Sequence, residues 1–119
     1  MNLVYSLQNI DSEYMERLEH TIHTHPAWHG HLNGMACEAL LRGAPPLSYL
    51  LRAGEERFHF YLSFVYENSF SFKHQPFILD KSSQGWFYRN GGTRYASSLE
   101  ELIPLILHCE AAEGLPIAK

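Results

Sequence analysis

The stretch FHFYLSFVY, residues 58–66, alternates regularly along its length and predicts a long β-strand. Its odd-numbered and even-numbered residues point to opposite faces of a sheet. One face carries only apolar or aromatic side chains: Phe58, Phe60, Leu62, Phe64 and Tyr66. The other face carries His59, Tyr61, Ser63 and Val65. Because both faces include large side chains, we expect both to be covered by other parts of the chain.

Further strands are predicted on either side of this one. YLLR, residues 49–52, precedes it, and FSFKHQPFIL, residues 70–79, follows a turn at ENS, residues 67–69. A short strand, WFYR, occupies residues 86–89. Pro76 lacks an N–H donor, so it predicts an edge or a bulge near the end of its strand. The short connections favour antiparallel pairing between neighbouring strands.

Three helices are predicted around these strands. DSEYMERLEHTIH, residues 11–23, places apolar side chains at helical spacing. A second helix spans about residues 35–42 and is terminated by Gly43. The third, SLEELIPLILHC at residues 98–109, opens with serine and glutamate at the spacing of a capping box. A sheet with helices packed against it indicates an α+β domain.

The overall composition narrows the class of protein. The 119 residues are 45% hydrophobic, which suits one compact domain with a core. The formal charge of −4 is the wrong sign for a nucleic-acid binder, and no apolar run is long enough for membrane insertion. The two cysteines, Cys37 and Cys109, lack CxxC spacing and indicate free thiols in a reducing, cytoplasmic compartment.

A cluster of histidines supplies a second hypothesis, a metal-binding protein. The segment HTIHTHPAWHGH contains His20, His23, His25, His29 and His31. Imidazole is a common ligand of zinc and copper, but this spacing does not preset a tetrahedral site and no HExxH motif is present. Since GxSxG, P-loop and GxGxxG motifs are also absent, we expect neither catalysis nor a cofactor.

Five short motifs, in order along the chain, resemble the Src-homology-2 (SH2) family of phosphotyrosine-peptide-binding domains. They are AWHG at 27–30, CEALL at 37–41, YLLR at 49–52, FKH at 72–74 and SLEELI at 98–103 with a later GL. The resemblance implies an SH2-like domain over residues 27–119, with a central antiparallel sheet flanked by two helices. Residues 1–26 stand outside it as an N-terminal extension that adds a helix.

The resemblance also implies a binding site for tyrosine-phosphorylated peptides or proteins. Arg52, the arginine of YLLR, is expected at the floor of a pocket, where its planar fork binds phosphate in bidentate fashion. The turn AGEER is expected to wrap the phosphate, with Arg57 as a second cation. The implied phosphotyrosine site comprises Arg52, Gly54, Glu55, Arg57, Tyr61, Ser63 and His74. The implied peptide groove comprises Lys73, Gln75, Asn90, Gly91 and Gly92.

Several residues depart from the family pattern. Gly34 stands where the family often has a second arginine, and Pro76 stands where a basic residue is common. The AGEER turn is shorter and acidic, so Arg52 could instead form a surface ion pair with Glu55 or Glu56. A scaffold that has lost phosphate binding is therefore a further alternative. The divergence resembles the SH2 domains of some bacterial effectors, which would place the protein in the host cytosol.

Overall fold

A single sheet with helices on both faces organises the chain. The computed structural model describes the backbone of residues 3–66, 71–80 and 85–119, with side chains in the first helix from residue 12 onward. The helices are α1 (Leu3–His23), α2 (Gly34–Leu41) and α3 (Leu99–Leu107). The strands are β1 (Ser48–Ala53), β2 (His59–Tyr66), β3 (Ser71–Asp80), β4 (Gly85–Arg89), β5 (Thr93–Ala96) and β6 (Leu115–Pro116).

The strand order across the sheet is β5-β4-β3-β2-β1-β6. Strands β1 to β5 pair in antiparallel fashion, as predicted, whereas β6 pairs with β1 in parallel. The sheet is therefore mixed, and the sequence prediction of an antiparallel sheet missed this edge. A strand of two residues has no alternation from which it could be predicted.

Both faces of the central strands are covered, as the alternation in β2 predicted. One face contributes Leu62, Phe77 and Trp86 to a large core beneath α1 and α3. On the other face, Leu50 and Val65 pack against α2 in a smaller cluster. Side chains at neighbouring positions of one strand therefore lie in two separate environments.

The segment after β4 is more regular than its sequence indicated. Arg89 through Gly92 closes a hairpin, in which the amide of Asn90 donates to the carbonyl of Gly92 at 2.9 Å. Gly91 has a φ of 73°, which glycine adopts without strain. Strand β5 was not predicted, because three of its four residues are exposed and give no burial pattern. The predicted turn at residues 67–69 lies outside the described residues.

Two short side-chain caps fix the helices that flank the sheet. The side chain of Asn33 accepts a hydrogen bond from the amide of Ala36 at 2.8 Å and begins α2. Ser98 accepts from the amide of Glu101 at 3.2 Å and begins α3, as the capping-box spacing predicted. Because α2 has only eight residues, its stability depends on packing against the sheet.

The N-terminal helix is built into the main core. Ile22 is fully buried and Met15 is nearly so, and both belong to the large core cluster.

Pro76 pairs with Tyr61 and lies outside the β4 ladder, which covers residues 78–80. None of the helices within the described part of the chain is long and apolar enough to cross a membrane.

We expect Ile22→Ala to destabilise the whole protein by about 2–5 kcal/mol, because it leaves a cavity between α1 and the sheet. Urea denaturation followed by circular dichroism measures the change. Met35→Ala, at a position that is 85% exposed, serves as the control and should change stability by less than about 0.5 kcal/mol. An Ile22→Ala protein as stable as the wild type would show that α1 is a dispensable appendage.

Candidate anion-binding site around Arg52

Arg52 lies in β1 on the sheet face that packs against α2. It pairs directly with Tyr61 across the β1–β2 ladder, and Ser63 pairs with His74 across the β2–β3 ladder. Arg52 is only 8% exposed, and Ser63 is fully buried. The structure thus brings together four of the residues that the sequence assigned to one site.

The guanidinium of Arg52 is held along its length by hydroxyl, carbonyl and imidazole groups. Its Nε donates to the hydroxyl of Ser63 at 3.1 Å, and one Nη donates to the carbonyl of Leu32 at 3.2 Å. The other Nη lies 3.2 Å from Nδ1 of His74. A guanidinium has five N–H donors, so two remain for the nearby thiol of Cys37 or for a ligand.

Two further groups define the space around this guanidinium. The ring of Tyr61 stacks on it, with the Arg52 Cζ 4.3 Å from the ring centroid. The start of α2 lies alongside, since a Cβ added at Gly34 would be 4.0 Å from an Arg52 Nη. The position at which the family often has an arginine therefore borders the site. The partial positive charge of a helix N-terminus adds to the charge of Arg52 there.

A hydrogen-bonded chain links Arg52 to the protein surface through His74. The Ser63 hydroxyl lies 2.7 Å from His74 Nδ1, and His74 Nε2 lies 2.6 Å from a carboxylate oxygen of Glu38. Glu38 belongs to α2 and was not among the predicted site residues. Its position one helical turn after Gly34 would have placed it on the same face of α2.

The hydrogen-bonded residues Ser63, His74 and Glu38 are the residue types of a serine hydrolase triad, but they do not have its geometry. Ser63 is fully buried and its hydroxyl already accepts a hydrogen bond from Arg52, so it is not placed to attack a substrate. Cys37 also borders the site, and burial raises the pKa of its thiol more than contacts with Ser63 and Arg52 lower it. Both groups therefore act as packing and hydrogen-bonding partners of Arg52.

The β1–β2 turn does not place its predicted residues against Arg52. The amide of Gly54 donates to the carbonyl of His59 at 2.7 Å, closing the turn. A Cβ at Gly54 would lie 2.7 Å from that same oxygen, so the turn itself requires glycine. Glu55 is exposed. From the sequence, the Gly54 amide is expected to bind phosphate, but this amide already donates to a backbone carbonyl.

Arg57 is bound to α1 on the other side of the turn. Its Nε and one Nη donate to the two carboxylate oxygens of Glu19 at 3.1 and 2.9 Å. This hydrogen bonding lowers the pKa of Glu19. The Arg57 side chain is 65% exposed, so it is accessible, but it already has an anionic partner.

The predicted groove residues lie mainly on the opposite sheet face from Arg52. Lys73, Gln75 and Asn90 line a cleft of about 330 Å³ that is closed on one side by the end of α3. The ammonium of Lys73 lies 3.7 Å from the ring centroid of Tyr66. Lys73 therefore faces away from the pocket of His74, as a regular strand predicts. Gly91 and Gly92 form the adjacent hairpin turn, where Gly91 is open to solvent.

The clustered histidines have separate partners. His29 Nε2 lies 2.8 Å from the carbonyl of Ile117, and His25 Nδ1 accepts from the amide of Ala27 at 3.0 Å. The ring of His23 packs against Trp28. Among the residues that the structure describes, no group of three histidine, cysteine or acidic side chains is placed to hold a metal ion. The metal-binding hypothesis therefore gains no support from the geometry.

Comparison with known proteins identifies the architecture. The sequence matches no protein-family model and no curated protein. Its structure is similar to the SH2 domain of a CRK/CRKL homolog from Monosiga brevicollis, solved in solution by NMR, with a TM-score of 0.57 and 17% sequence identity. The match covers 79% of this chain and 88% of that chain. The chain has an SH2-like fold. This confirms the α+β architecture that the five motifs predicted.

Proposed function

We propose that the protein is a phosphotyrosine-peptide-binding module in which Arg52 binds the phosphate. The observation that carries this proposal is a buried permanent cation with no carboxylate among its direct partners in the described residues, which are hydroxyl, carbonyl, imidazole, thiol and aromatic-ring groups. A buried charge without an anionic partner is costly. A bound phosphate supplies the missing charge and strong acceptors for the remaining N–H donors.

The depth of Arg52 favours phosphotyrosine over phosphoserine. Arg52 is only 8% exposed, with the ring of Tyr61 stacked on its guanidinium and the first turn of α2 beside it. A phosphate on the long phenol of tyrosine can reach it, whereas one on the short serine side chain cannot. Ser63 and His74 support the guanidinium, and Tyr61 forms a wall of the site. Binding without catalysis is the activity that we propose.

The rest of the peptide is proposed to cross β3 toward the cleft on the opposite face. Lys73, Gln75 and Asn90 line this cleft, and the side-chain amide of Gln75 donates to the carbonyl of Arg89 at 3.2 Å. The Gly91 and Gly92 turn lies beside Asn90, at the end of the β4–β5 hairpin. Since Lys73 is the cation at this cleft, an acidic residue downstream of the phosphotyrosine is the best electrostatic match.

A scaffold without phosphate binding is the second candidate, and two observations favour it. Glu38 places a carboxylate one imidazole away from Arg52, where it repels a phosphate. The amide of Gly54 and the guanidinium of Arg57, which could assist, are bound to His59 and Glu19. Binding measurements with paired phosphorylated and unphosphorylated peptides separate the two candidates.

We expect Arg52→Ala to weaken binding of a phosphotyrosine peptide by about 2–5 kcal/mol, the cost of removing one partner of a desolvated charge pair. Arg52→Lys should restore little, because an ammonium lacks the planar fork. Isothermal titration calorimetry measures the affinities, and circular dichroism checks the fold.

Arg57→Ala is the matched control for this experiment, since it removes the same charge from the neighbouring turn. Arg57 must leave Glu19 to contact a phosphate, so its loss should weaken binding far less than the loss of Arg52. Equal affinities for the wild type and Arg52→Ala would refute the assignment of Arg52 as the phosphate ligand.

We expect Lys73→Glu to change the preferred residues downstream of the phosphotyrosine from acidic to basic. The reason is the reversed charge at the wall of the cleft. An oriented phosphopeptide array, probed with both proteins, measures the change. Identical preferences in the two proteins would show that the peptide does not enter this cleft.

We further propose that the partners are host phosphoproteins and that the protein is a bacterial effector acting in the host cytosol as an adaptor or competitor. The departures at Gly34, Pro76 and the β1–β2 turn support this divergent type. A cytosolic extract from phosphatase-inhibited animal cells, passed over the immobilised protein, should yield tyrosine-phosphorylated proteins. Retention of none, or the same retention by Arg52→Ala, would contradict this proposal.

A further inference from the structure

The hydrogen bonds around His74 determine which of its ring nitrogens carries a proton. Arginine can only donate, so the Nη of Arg52 that lies 3.2 Å from Nδ1 requires a lone pair on Nδ1. The carboxylate of Glu38, 2.6 Å from Nε2, requires a proton on Nε2. Together these contacts assign the proton to Nε2 and the lone pair to Nδ1. The Ser63 hydroxyl accepts from Arg52 Nε and donates to Nδ1.

We propose that Glu38 is a positioning residue for this site, holding His74 in that tautomer and making phosphoryl binding take up a proton at Nδ1. This inference rests on the proposed function for its second half only. Glu38 contacts His74 and not Arg52, so it acts on the phosphate through the imidazole. Such carboxylate partners commonly fix the tautomer and orientation of a functional histidine.

The positioning role of Glu38 follows from the sequence of hydrogen bonds that runs from Glu38 through His74 to Arg52. Without Glu38, nothing at Nε2 opposes the alternative tautomer, which would turn an N–H of His74 toward Arg52. That arrangement would set two donors against each other and push the guanidinium out of its place above Ser63. With Glu38 present, the two N–H groups of Arg52 that have no oxygen or nitrogen partner among the described residues keep their positions. The Cys37 thiol that contacts Arg52 is only a weak acceptor, so an anion can replace it.

The proton-coupling half follows from the lone pair on Nδ1. In the complex, a phosphate oxygen placed between this Arg52 Nη and Nδ1 would replace their direct 3.2 Å contact, so that both nitrogens donate to the anion and not against each other. An anionic oxygen facing a lone pair is repelled, and a proton placed on Nδ1 removes the repulsion. The resulting imidazolium keeps its Nε2–H bond to Glu38, whose negative charge stabilises it.

Groups from three elements face His74. Glu38 approaches from α2 and Arg52 from β1, while Ser63 on β2 contributes a neutral hydroxyl. The thiol of Cys37, also on α2, borders Ser63 and Arg52, and burial raises its pKa, which keeps it neutral. Glu38 is thus the negative group in contact with the imidazole, and it opposes the repulsion between Arg52 and a protonated His74.

The first experiment uses the free protein and needs no ligand. Long-range ¹H–¹⁵N NMR spectra of the imidazole should show Nδ1 unprotonated and Nε2 protonated in the wild type. Glu38→Gln keeps an oxygen acceptor and should keep this tautomer, whereas Glu38→Ala should give a mixture of tautomers. Glu13→Gln, the same change on an exposed position of α1, is the matched control. A protonated Nδ1 in the free wild type would overturn the assignment.

The second experiment counts protons during binding. Calorimetric titrations with a short synthetic phosphotyrosine peptide, run at one pH in buffers of different ionisation enthalpy, give the net number taken up. Wild type should take up about one proton more than His74→Asn or Glu38→Gln, because the phosphate's own titration is common to all three. Glu38→Ala should also bind about tenfold more weakly than Glu13→Gln, through loss of a charge-assisted hydrogen bond.

Equal proton counts in the wild type and Glu38→Gln would overturn the coupling. If the wild type binds no phosphopeptide, the proposed function and the coupling both fail, and the tautomer measurement alone decides whether Glu38 positions His74. If the peptide binds and the tautomer is unchanged in Glu38→Ala, the function stands and the positioning role is wrong.

Discussion

The burial of one permanent cation, Arg52, determines which groups the neighbouring strands and loops place around it. Arg52 cannot lose its proton, so every nearby element must supply an acceptor or a ring face to it. Strand β2 supplies Ser63 and Tyr61, the segment before α2 supplies the carbonyl of Leu32, and β3 supplies His74. These partners hold the guanidinium in place but leave its charge unmatched by direct contact. This unmatched charge is the feature on which the proposed anion binding rests.

The alternation of side chains along β3 places neighbouring residues on opposite faces of the sheet. His74 faces α2 and the cation, whereas Lys73 and Gln75 face the cleft beside α3. A shift of pairing by one residue would exchange these environments, so the long β2–β3 ladder is what keeps them apart.

The N-terminal helix changes the surroundings of the site without touching Arg52. It buries Ile22 in the core and binds Arg57 through Glu19 at the end of the β1–β2 turn. One of the two cations near that turn is thus already neutralised. The glycine of the turn is likewise explained by the close approach of the His59 carbonyl. Residues that the resemblance assigned to phosphate therefore have structural partners of their own.

The sequence by itself determined the fold class, the central strands and the N-terminal cap of α3, because alternation, capping spacing and short motifs are local patterns. It missed β5 and β6, which are too short or too exposed to show a pattern. Only the tertiary structure decided which polar groups meet. Glu38 lies 36 positions from His74, and Glu19 lies 38 positions from Arg57. Such pairs depend on how helices dock on the sheet, and docking is set by the whole core rather than by any local stretch.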